Sequence, residues 1–180
     1  MPLLSRRWMA AFVLLAFVML PAVGQTAEEG DRPANWAEKI ELPGLPNLHK
    51  VDDGLYRGAQ PTAEGIKELE KLGVKTIVCL RSRHSDKELI GKANIAYVSI
   101  PLNTWSVKEE DVARFLRIAA DDHLRPVFVH CRHGADRTGA MCAAYRVVVQ
   151  DWTKQQAVEE MTRGGFGFHP VWKNLPKLID

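Results

Sequence analysis

The sequence contains few cysteines, and their number and spacing argue against two classes of protein. Cysteine occurs three times in 180 residues, at Cys79, Cys131 and Cys142, and so small and odd a number argues against a disulfide framework. His130, Cys131 and His133 stand too close together to match the ligand spacing of a zinc site. We therefore predict no metal site. Cys79 and Cys142 lie in apolar runs, so we expect both to be buried core residues.

An excess of charge of one sign is also missing. The net charge is +2, and Arg6 and Arg7 are the only charged residues before Glu28. Without that pair the chain has 22 basic and 22 acidic residues, so it lacks the basic surplus that a nucleic-acid partner would require. The sequence shows no internal repeats and no low-complexity segments. Its 46% of hydrophobic residues suit one packed globular domain, which we expect to be monomeric.

The first 24 residues have the composition of a cleavable signal peptide. Arg6 and Arg7 form a positive region, residues 8–20 are apolar, Pro21 breaks the run, and Ala22–Gly24 are small. Cleavage after Gly24 would release a periplasmic protein. The alternative is an uncleaved anchor, which would be the only contact with a membrane. Residues 25–47 are polar and contain several prolines, so we predict a flexible lead-in there and the folded domain over residues 48–180.

Strand-like and helix-like segments alternate after residue 47. This alternation predicts an α/β fold with a central, mostly parallel sheet flanked by helices. Asp52–Gly54 should form the turn of a hairpin that opens the domain. Residues 127–129 are fully apolar, so their strand should be central. Four local signals should start helices, namely Thr62, the capping boxes Ser106-x-x-Glu109 and Thr153-x-x-Gln156, and the pair His169-Pro170.

The most informative residues are 130–139, which read His-Cys, then five residues, then Arg-Thr-Gly. An apolar strand enters this segment and a helical pattern leaves it. Cys131 is therefore predicted in a strand-to-helix turn, where backbone N–H groups and a helix N-terminus converge. Such groups stabilise an anion, first a thiolate and then a bound phosphate. The planar fork of Arg137 can hold two phosphate oxygens, and Gly134 lets the backbone curl close to the ligand.

This segment resembles the phosphate-binding loop of the cysteine-dependent protein tyrosine and dual-specificity phosphatases. The order of elements over residues 48–178 is similar to theirs, and Leu55–Pro61 with the leader is similar to periplasmic bacterial members. The resemblance implies a dual-specificity-phosphatase-like fold, no cofactor, and a phosphocysteine intermediate on Cys131. Thr138 would hydrogen-bond the Cys131 sulfur and ease its departure. The implied phosphate-binding residues are Arg132, His133, Gly134, Ala135, Asp136 and Arg137.

The general acid of the family does not have an obvious counterpart. In the family it is usually an Asp in the loop after the strand that here ends at Ile100, but residues 101–106 contain no carboxylate. Asp136, inside the phosphate loop, is our first candidate for the catalytic acid. The group Glu109–Asp111 is the second, although the capping box places it in a helix. The third possibility is that the protein has no dedicated acid.

Three functions are compatible with these residues. The first is a phosphomonoesterase that acts on phosphotyrosine, and also on phosphoserine or phosphothreonine, in a phosphorylated protein or a small phosphomonoester. The second is a phosphoinositide or inositol-phosphate phosphatase, towards which Arg132, His133 and Asp136 lean. The third, from another class, is a phosphate-binding module without turnover. Under oxidation, Cys79 is a hypothetical disulfide partner for Cys131, provided that both side chains lie on the same face of the sheet.

Overall fold

Residues 32–179 are described by a computed structural model. Within them one sheet of six strands has the order β1-β2-β3-β6-β4-β5. The strands are β1 Glu38–Lys39, β2 His49–Asp52, β3 Leu55–Gly58, β4 Thr76–Arg81, β5 Ala96–Leu102 and β6 Val127–His130. The helices are α1 Ala63–Lys71, α2 Lys87–Ile90, α3 Glu109–Ala119, α4 Asp136–Val149, α5 Lys154–Arg163 and α6 Asn174–Lys177.

The sheet is mostly parallel, as the alternation of elements predicted. Strands β3, β6, β4 and β5 run parallel, and the antiparallel hairpin of β2 and β3 adds an edge to which β1 is paired. Strand β6 lies between β3 and β4, and all four of its residues are buried. Its apolar sequence is that of a strand covered on both faces, so the prediction of a central strand is confirmed.

Helices cover both faces of this sheet. On one face, Ile66 and Leu69 of α1 pack with Ile77 and Phe128. On the other face, Phe115 of α3 and Met141 and Tyr145 of α4 pack against Val78 and Val129. A third cluster joins α4 to α5 and α6 through small alanines. Because α4 is covered from two sides, it is apolar around most of its circumference.

Two of the four predicted helix starts are confirmed. The Thr62 hydroxyl accepts a hydrogen bond from the Gly65 N–H at the start of α1. Thr153 and Gln156 form a complete capping box at the start of α5. Each hydroxyl satisfies one of the backbone donors that a helix N-terminus leaves without an intrahelical partner.

The other two predicted starts are wrong. Ser106 does not cap α3: its N–H is donated to the Asn103 carbonyl at 3.0 Å in a tight turn, and the helix begins only after Lys108. His169-Pro170 does not open the last helix, because the His169 N–H is donated to the Asp136 carboxylate at 2.9 Å and the helix α6 begins at Asn174. In both places a competing hydrogen bond overrides the local signal.

The predicted flexible lead-in, residues 25–47, also differs from the structure over its described part. From Arg32 onward the chain belongs to the same compact unit as the rest of the domain. Ala37 is 1% exposed, Leu45 is 3% exposed, and β1 pairs with β2. The predicted signal peptide, residues 1–24, lies outside the described residues. No helix within residues 32–179 has the length and apolarity needed to cross a membrane.

A buried ion pair fastens this N-terminal segment to the helices. Glu160 of α5 accepts hydrogen bonds from Arg146 Nε at 2.8 Å and from Arg146 Nη2 at 2.7 Å. It also accepts the Ala37 N–H at 2.6 Å. Both charged side chains are 3% exposed. Removing one partner of such a pair leaves the other charge buried without compensation.

We predict that Glu160→Gln destabilises the protein. The loss should be about 3–5 kcal/mol in the free energy of unfolding, because the Arg146 guanidinium would stay buried without its counter-ion. Urea unfolding followed by circular dichroism measures this loss. Glu159→Gln is the matched control, since its pair with Arg163 is exposed and should be worth less than about 1 kcal/mol. Equal stabilities of the two variants would contradict a structural role for the buried pair.

Candidate active site

The candidate site lies where the parallel strands end and α4 begins. Residues 131–135 connect β6 to α4, so the loop lies at the carboxyl edge of the sheet and at the positive end of the helix macrodipole. The sequence predicted this strand–loop–helix arrangement, and it is confirmed. An anion held in the loop would face the N-terminus of a helix of 14 residues.

The loop is held open by hydrogen bonds to its outer side. Four consecutive carbonyl oxygens each accept a hydrogen bond from a donor outside the loop. The pairs are Cys131 O with His130 Nδ1 at 3.2 Å, Arg132 O with Gln60 N at 3.3 Å, His133 O with Asn47 Nδ2 at 2.9 Å, and Gly134 O with Arg57 Nη2 at 2.8 Å. In a trans peptide the carbonyl and the following N–H point in opposite directions. The N–H groups of residues 132–135 therefore turn inward, where an anion would sit.

Gly134 is required at its position for two reasons. Its φ is +72°, a conformation that residues with a side chain rarely adopt. A Cβ at this position would also lie 2.5 Å from the carbonyl carbon of Gly58. The structure thus requires glycine here because the loop packs against the end of β3, and the predicted close approach of the backbone to a ligand stays a prediction.

Cys131 lies at the base of this loop and is 2% exposed. Burial alone would raise the pKa of its thiol, but the Thr138 hydroxyl, the N–H groups of Thr138 and His133 and the positive charge of Arg137 outweigh that effect and lower it. The Thr138 side chain is fully buried in the first turn of α4, and its effect on the pKa of Cys131 is the observation that connects it to the sulfur. Thr138 is thus near enough to Cys131 to lower its pKa, and the implied role of its hydroxyl in the departure of the sulfur stays a prediction.

Arg137 is oriented before any ligand binds. Its Nη1 donates to the carbonyl oxygens of Leu80 at 3.4 Å and Leu102 at 3.3 Å, at the ends of β4 and β5. The remaining guanidinium donors are left for two oxygens of one phosphate. Arg132 and His133 are exposed on the loop, Ala135 is buried and Arg137 is half-buried. Of the six predicted phosphate-binding residues, four thus lie on the loop that follows Cys131, and Asp136 and Arg137 form the start of α4.

Asp136 is the first residue of α4 and is 8% exposed. Its Oδ1 accepts the His169 N–H at 2.9 Å, and its Oδ2 lies 2.9 Å from His169 Nδ1. The carboxylate is thus engaged by one residue of the loop between α5 and α6. The predicted role of Asp136 as the catalytic acid remains a prediction, and no local pattern pointed to its partner His169.

The second group of acid candidates lies on α3. Glu109, Glu110 and Asp111 form the first turn of that helix, and the two glutamates are exposed. No hydrogen bond or ion pair among the described residues joins them to the phosphate loop. The turn before them, residues 103–106, is instead tied to α6, because Asn174 Nδ2 donates to the Thr104 carbonyl at 2.8 Å.

Sequence reasoning missed a buried ion pair beneath the loop. His130 Nε2 lies 2.9 Å from Asp86 Oδ2, and both side chains are fully buried. Because Nδ1 faces the Cys131 carbonyl, both ring nitrogens face acceptors, which requires a doubly protonated, cationic ring. Although burial lowers the pKa of His130, Asp86 and Cys79 outweigh it and raise this pKa to about 9. Gln60 and His84 donate to the other oxygen of Asp86.

Cys79 lies beside this ion pair and not beside Cys131. Its Sγ, an Asp86 oxygen and a His130 nitrogen all lie within 4.8 Å of one another. A protonated imidazole is no metal ligand, so we interpret the cluster as an ion pair with a neighbouring thiol. Cys79 is opposite His130 in the strand register, and successive residues of a strand point to opposite faces. The hypothesis of a Cys79–Cys131 disulfide therefore conflicts with the structure. Cys79 and Cys142 are buried, as predicted.

Arg57 is the second buried cation behind the loop, and it too was missed. It is 1% exposed, its guanidinium carbon lies 3.6 Å from the centre of the Phe166 ring, and its Nη2 holds Gly134. Burial lowers the pKa of Arg57, and the nearby thiols and Glu160 oppose this effect. The available signal was a charged residue inside an otherwise apolar strand.

Comparison with known proteins agrees with this geometry. The family model described as "DSP-PTPase phosphatase fused to NAD+ Kinase" matches residues 41–171. The dual specificity protein phosphatase TpbA of Pseudomonas aeruginosa strain UCBPP-PA14 is 38% identical over 167 residues, which are 92% of this chain and 75% of TpbA. The chain therefore belongs to the family of cysteine-dependent dual-specificity and tyrosine phosphatases.

Solved structures show the same fold. A crystal structure of P. aeruginosa TpbA, with its Cys replaced by Ser and in complex with pTyr, superposes with a TM-score of 0.73 at 36% identity. The match covers 82% of this chain and 89% of TpbA. The catalytic core of the PP-IP phosphatase SIW14 from S. cerevisiae gives a TM-score of 0.67 at 20% identity, over 78% of this chain and 89% of that one. The predicted α/β phosphatase fold is confirmed.

We predict that Asp86→Asn changes how stability depends on pH. The pKa of His130 is raised from 6.5 to about 9 in the folded protein. Its stabilising contribution is therefore fully present below pH 6.5 and lost as the pH rises through about 9. The lowered pKa of Asp86 acts only in acid and does not affect this window. Urea unfolding between pH 6 and pH 9 should show a decline in the wild type that the variant lacks.

The control for this experiment is Asp122→Asn, whose carboxylate is exposed beside Arg125. Its stability should follow the wild-type pH profile. A decline of equal size in Asp86→Asn would mean that His130 is neutral in the folded protein.

Proposed function

We propose that this protein is a phosphomonoesterase that hydrolyses phosphotyrosine through a phosphocysteine on Cys131. The observation that carries the proposal is the loop itself. Its N–H groups turn inward around a thiol whose pKa is lowered, and Arg137 is oriented beside it. A structural cysteine would need none of these donors.

In the first step the Cys131 thiolate attacks phosphorus. The S–P bond forms, the bond from phosphorus to the leaving oxygen breaks, and that oxygen takes a proton. The three other phosphate oxygens stay within reach of the loop N–H groups and the Arg137 guanidinium. These donors are in place before the reaction, so they stabilise the redistributed charge without reorganising.

In the second step water attacks the phosphocysteine. The P–O bond forms, the S–P bond breaks, and the electron pair returns to sulfur as a thiolate. A hydrogen bond from Thr138 to that sulfur makes it a better leaving group, for the same reason that it lowers the pKa of Cys131. Inorganic phosphate then leaves the loop. The proton that the leaving oxygen takes in the first step is matched by the proton that water gives up in the second, so the net reaction is hydrolysis of the phosphomonoester.

Two exposed apolar side chains support an aryl substrate. Trp105 is 69% exposed and Val171 is 74% exposed. They lie on the two segments that the Asn174–Thr104 hydrogen bond joins, and these segments reach the start of α4 through Leu102 and His169. An aromatic leaving group such as a tyrosyl ring can cover them, whereas a polyhydroxylated ring gains little there. The relative TpbA was crystallised with pTyr, which supports the same substrate class.

We predict that a phosphotyrosine peptide is the best substrate in a panel. Its kcat/KM should exceed that of the matching phosphoserine peptide and of inositol hexakisphosphate by about tenfold or more, since we expect only the tyrosyl ring to stack on Trp105. Trp105→Ala should reduce this preference, whereas Val148→Ala, an exposed side chain near the other end of α4, should not. Faster turnover of the inositol phosphate would instead favour an inositol-phosphate phosphatase. In that case the exposed Arg132 and His133 would contribute to substrate binding.

We predict that Cys131→Ser abolishes turnover but leaves phosphate or vanadate binding measurable, because the loop donors remain. Burial raises the pKa of Cys142 to about 11, so this thiol is inert and Cys142→Ala is the matched control with activity retained. Hydrolysis of para-nitrophenyl phosphate and anion binding by calorimetry are the measurements. Activity of Cys131→Ser within tenfold of the wild type would refute the phosphocysteine mechanism. If the wild-type protein showed no turnover, the result would support the third function, a phosphate-binding module without turnover.

A further inference from the structure

The segment between α5 and α6 contributes a histidine to the rim of the phosphate loop. His169 lies on this segment, and its side chain is 51% exposed. Its ring centre is 6.0 Å from that of His133 on the phosphate loop. Asn47 Nδ2 donates to both the His133 and the Phe166 carbonyls at 2.9 Å, which fixes the two segments to each other.

The same segment also reaches the turn from which a carboxylate is missing. Residues 101–106 hold no Asp or Glu, and Thr104 in that turn accepts a hydrogen bond from Asn174 at 2.8 Å. The chain from Phe166 to Asn174 thus runs along the site from the phosphate loop to this turn. A proton donor on it would lie on the side where the family usually has its acid.

The hydrogen bonds define which atom of His169 can exchange a proton. The His169 N–H binds Asp136 Oδ1, and ring Nδ1 lies 2.9 Å from Oδ2 and 3.1 Å from Oδ1. A carboxylate accepts, so Nδ1 is the donor and keeps its proton. Nε2 makes no hydrogen bond within residues 32–179, and because the side chain is 51% exposed it is the ring nitrogen that is left to exchange a proton. Asp136, nearly buried, is occupied as an acceptor.

We propose that His169 is the catalytic acid and base of this phosphatase, and that Asp136 is the positioning residue that orients its ring. This inference rests on the proposed function. It changes the role predicted for Asp136 from the sequence, because the proton that can be transferred sits on His169 Nε2 and the carboxylate holds the opposite nitrogen. In the catalytic triads of hydrolases, a carboxylate likewise accepts a hydrogen bond from one ring nitrogen of a histidine, and the other ring nitrogen transfers the proton.

The proton balance closes over the two steps. As the P–O bond to the leaving group breaks, the proton on Nε2 moves to the leaving oxygen and gives a neutral phenol or alcohol. His169 is then neutral at Nε2. As water attacks the phosphocysteine, its proton moves to Nε2 and its oxygen bonds phosphorus. The Cys131 thiolate and protonated His169 are restored, and no other reagent is consumed.

The test is His169→Ala with two aryl phosphates. For phenyl phosphate, whose leaving group needs a proton, kcat/KM should fall by about 10²–10⁴. For para-nitrophenyl phosphate, whose leaving group departs as an anion, kcat/KM should fall by less than about tenfold. Because the base for the second step is also lost, this substrate should show a pre-steady-state burst of para-nitrophenol. Added imidazole should restore a substantial part of the phenyl phosphate rate.

Three further variants separate His169 from its surroundings. Asp136→Asn should give a smaller loss with the same leaving-group dependence, and the double variant should be no worse than His169→Ala alone, since the two residues act as a unit. His123→Asn, an exposed histidine before β6 at the opposite end of the sheet, is the matched control and should keep wild-type kinetics.

Two results would overturn the inference. Equal losses of His169→Ala for both leaving groups, without rescue by imidazole, would make His169 structural. A leaving-group-dependent loss in Asp136→Asn with little loss in His169→Ala would return the acid role to Asp136. Failure of the proposed function looks different, because wild-type protein would then turn over neither aryl phosphate.

Discussion

The outward orientation of four successive carbonyls, those of residues 131–134, is the constraint on which the site depends. Each carbonyl is held by a different part of the chain: the segment before β2, strand β3, the residues before α1, and strand β6 itself. The sheet order matters for this reason, because β3 and β6 are neighbours and bring three of these segments to the loop. Removing one buried donor would cost about 1–3 kcal/mol and would free a peptide unit to turn its N–H away from the ligand.

Two buried cysteines in one cluster show what these donors accomplish. Cys131 and Cys142 are each 2% exposed and pack in the same core. Burial raises the pKa of Cys142 to about 11, whereas the pKa of Cys131 is lowered. Arg57 favours ionisation of Cys142 and does not reverse the effect of burial there. The hydroxyl and N–H groups directed at one sulfur and not at the other therefore decide which thiol becomes the nucleophile.

Local patterns predicted the parts of the molecule that local chemistry determines. The central strand β6, the caps Thr62 and Thr153, and the phosphate loop all depend on residues adjacent in sequence. The partners that hold the loop do not: Arg57 is 77 residues from Gly134, Asn47 is 86 from His133, and Asp86 is 44 from His130. Such pairs follow from sheet order, which periodicity does not encode. Ser106 failed for a related reason, because a tight turn competed for its backbone N–H.

The position of Asp136 raises an electrostatic question that its partner resolves. A carboxylate beside Arg137 and at the rim of a phosphate site would repel an approaching phosphate dianion, and the repulsion grows as water is excluded. The N-terminus of α4 stabilises the negative charge of Asp136 but does not remove the repulsion between this charge and the substrate phosphate. His169 is hydrogen-bonded to both carboxylate oxygens, so its imidazole ring lies directly beside that charge. When its ring is protonated, the pair is neutral towards the incoming phosphate, and the same proton is the one available to the leaving oxygen.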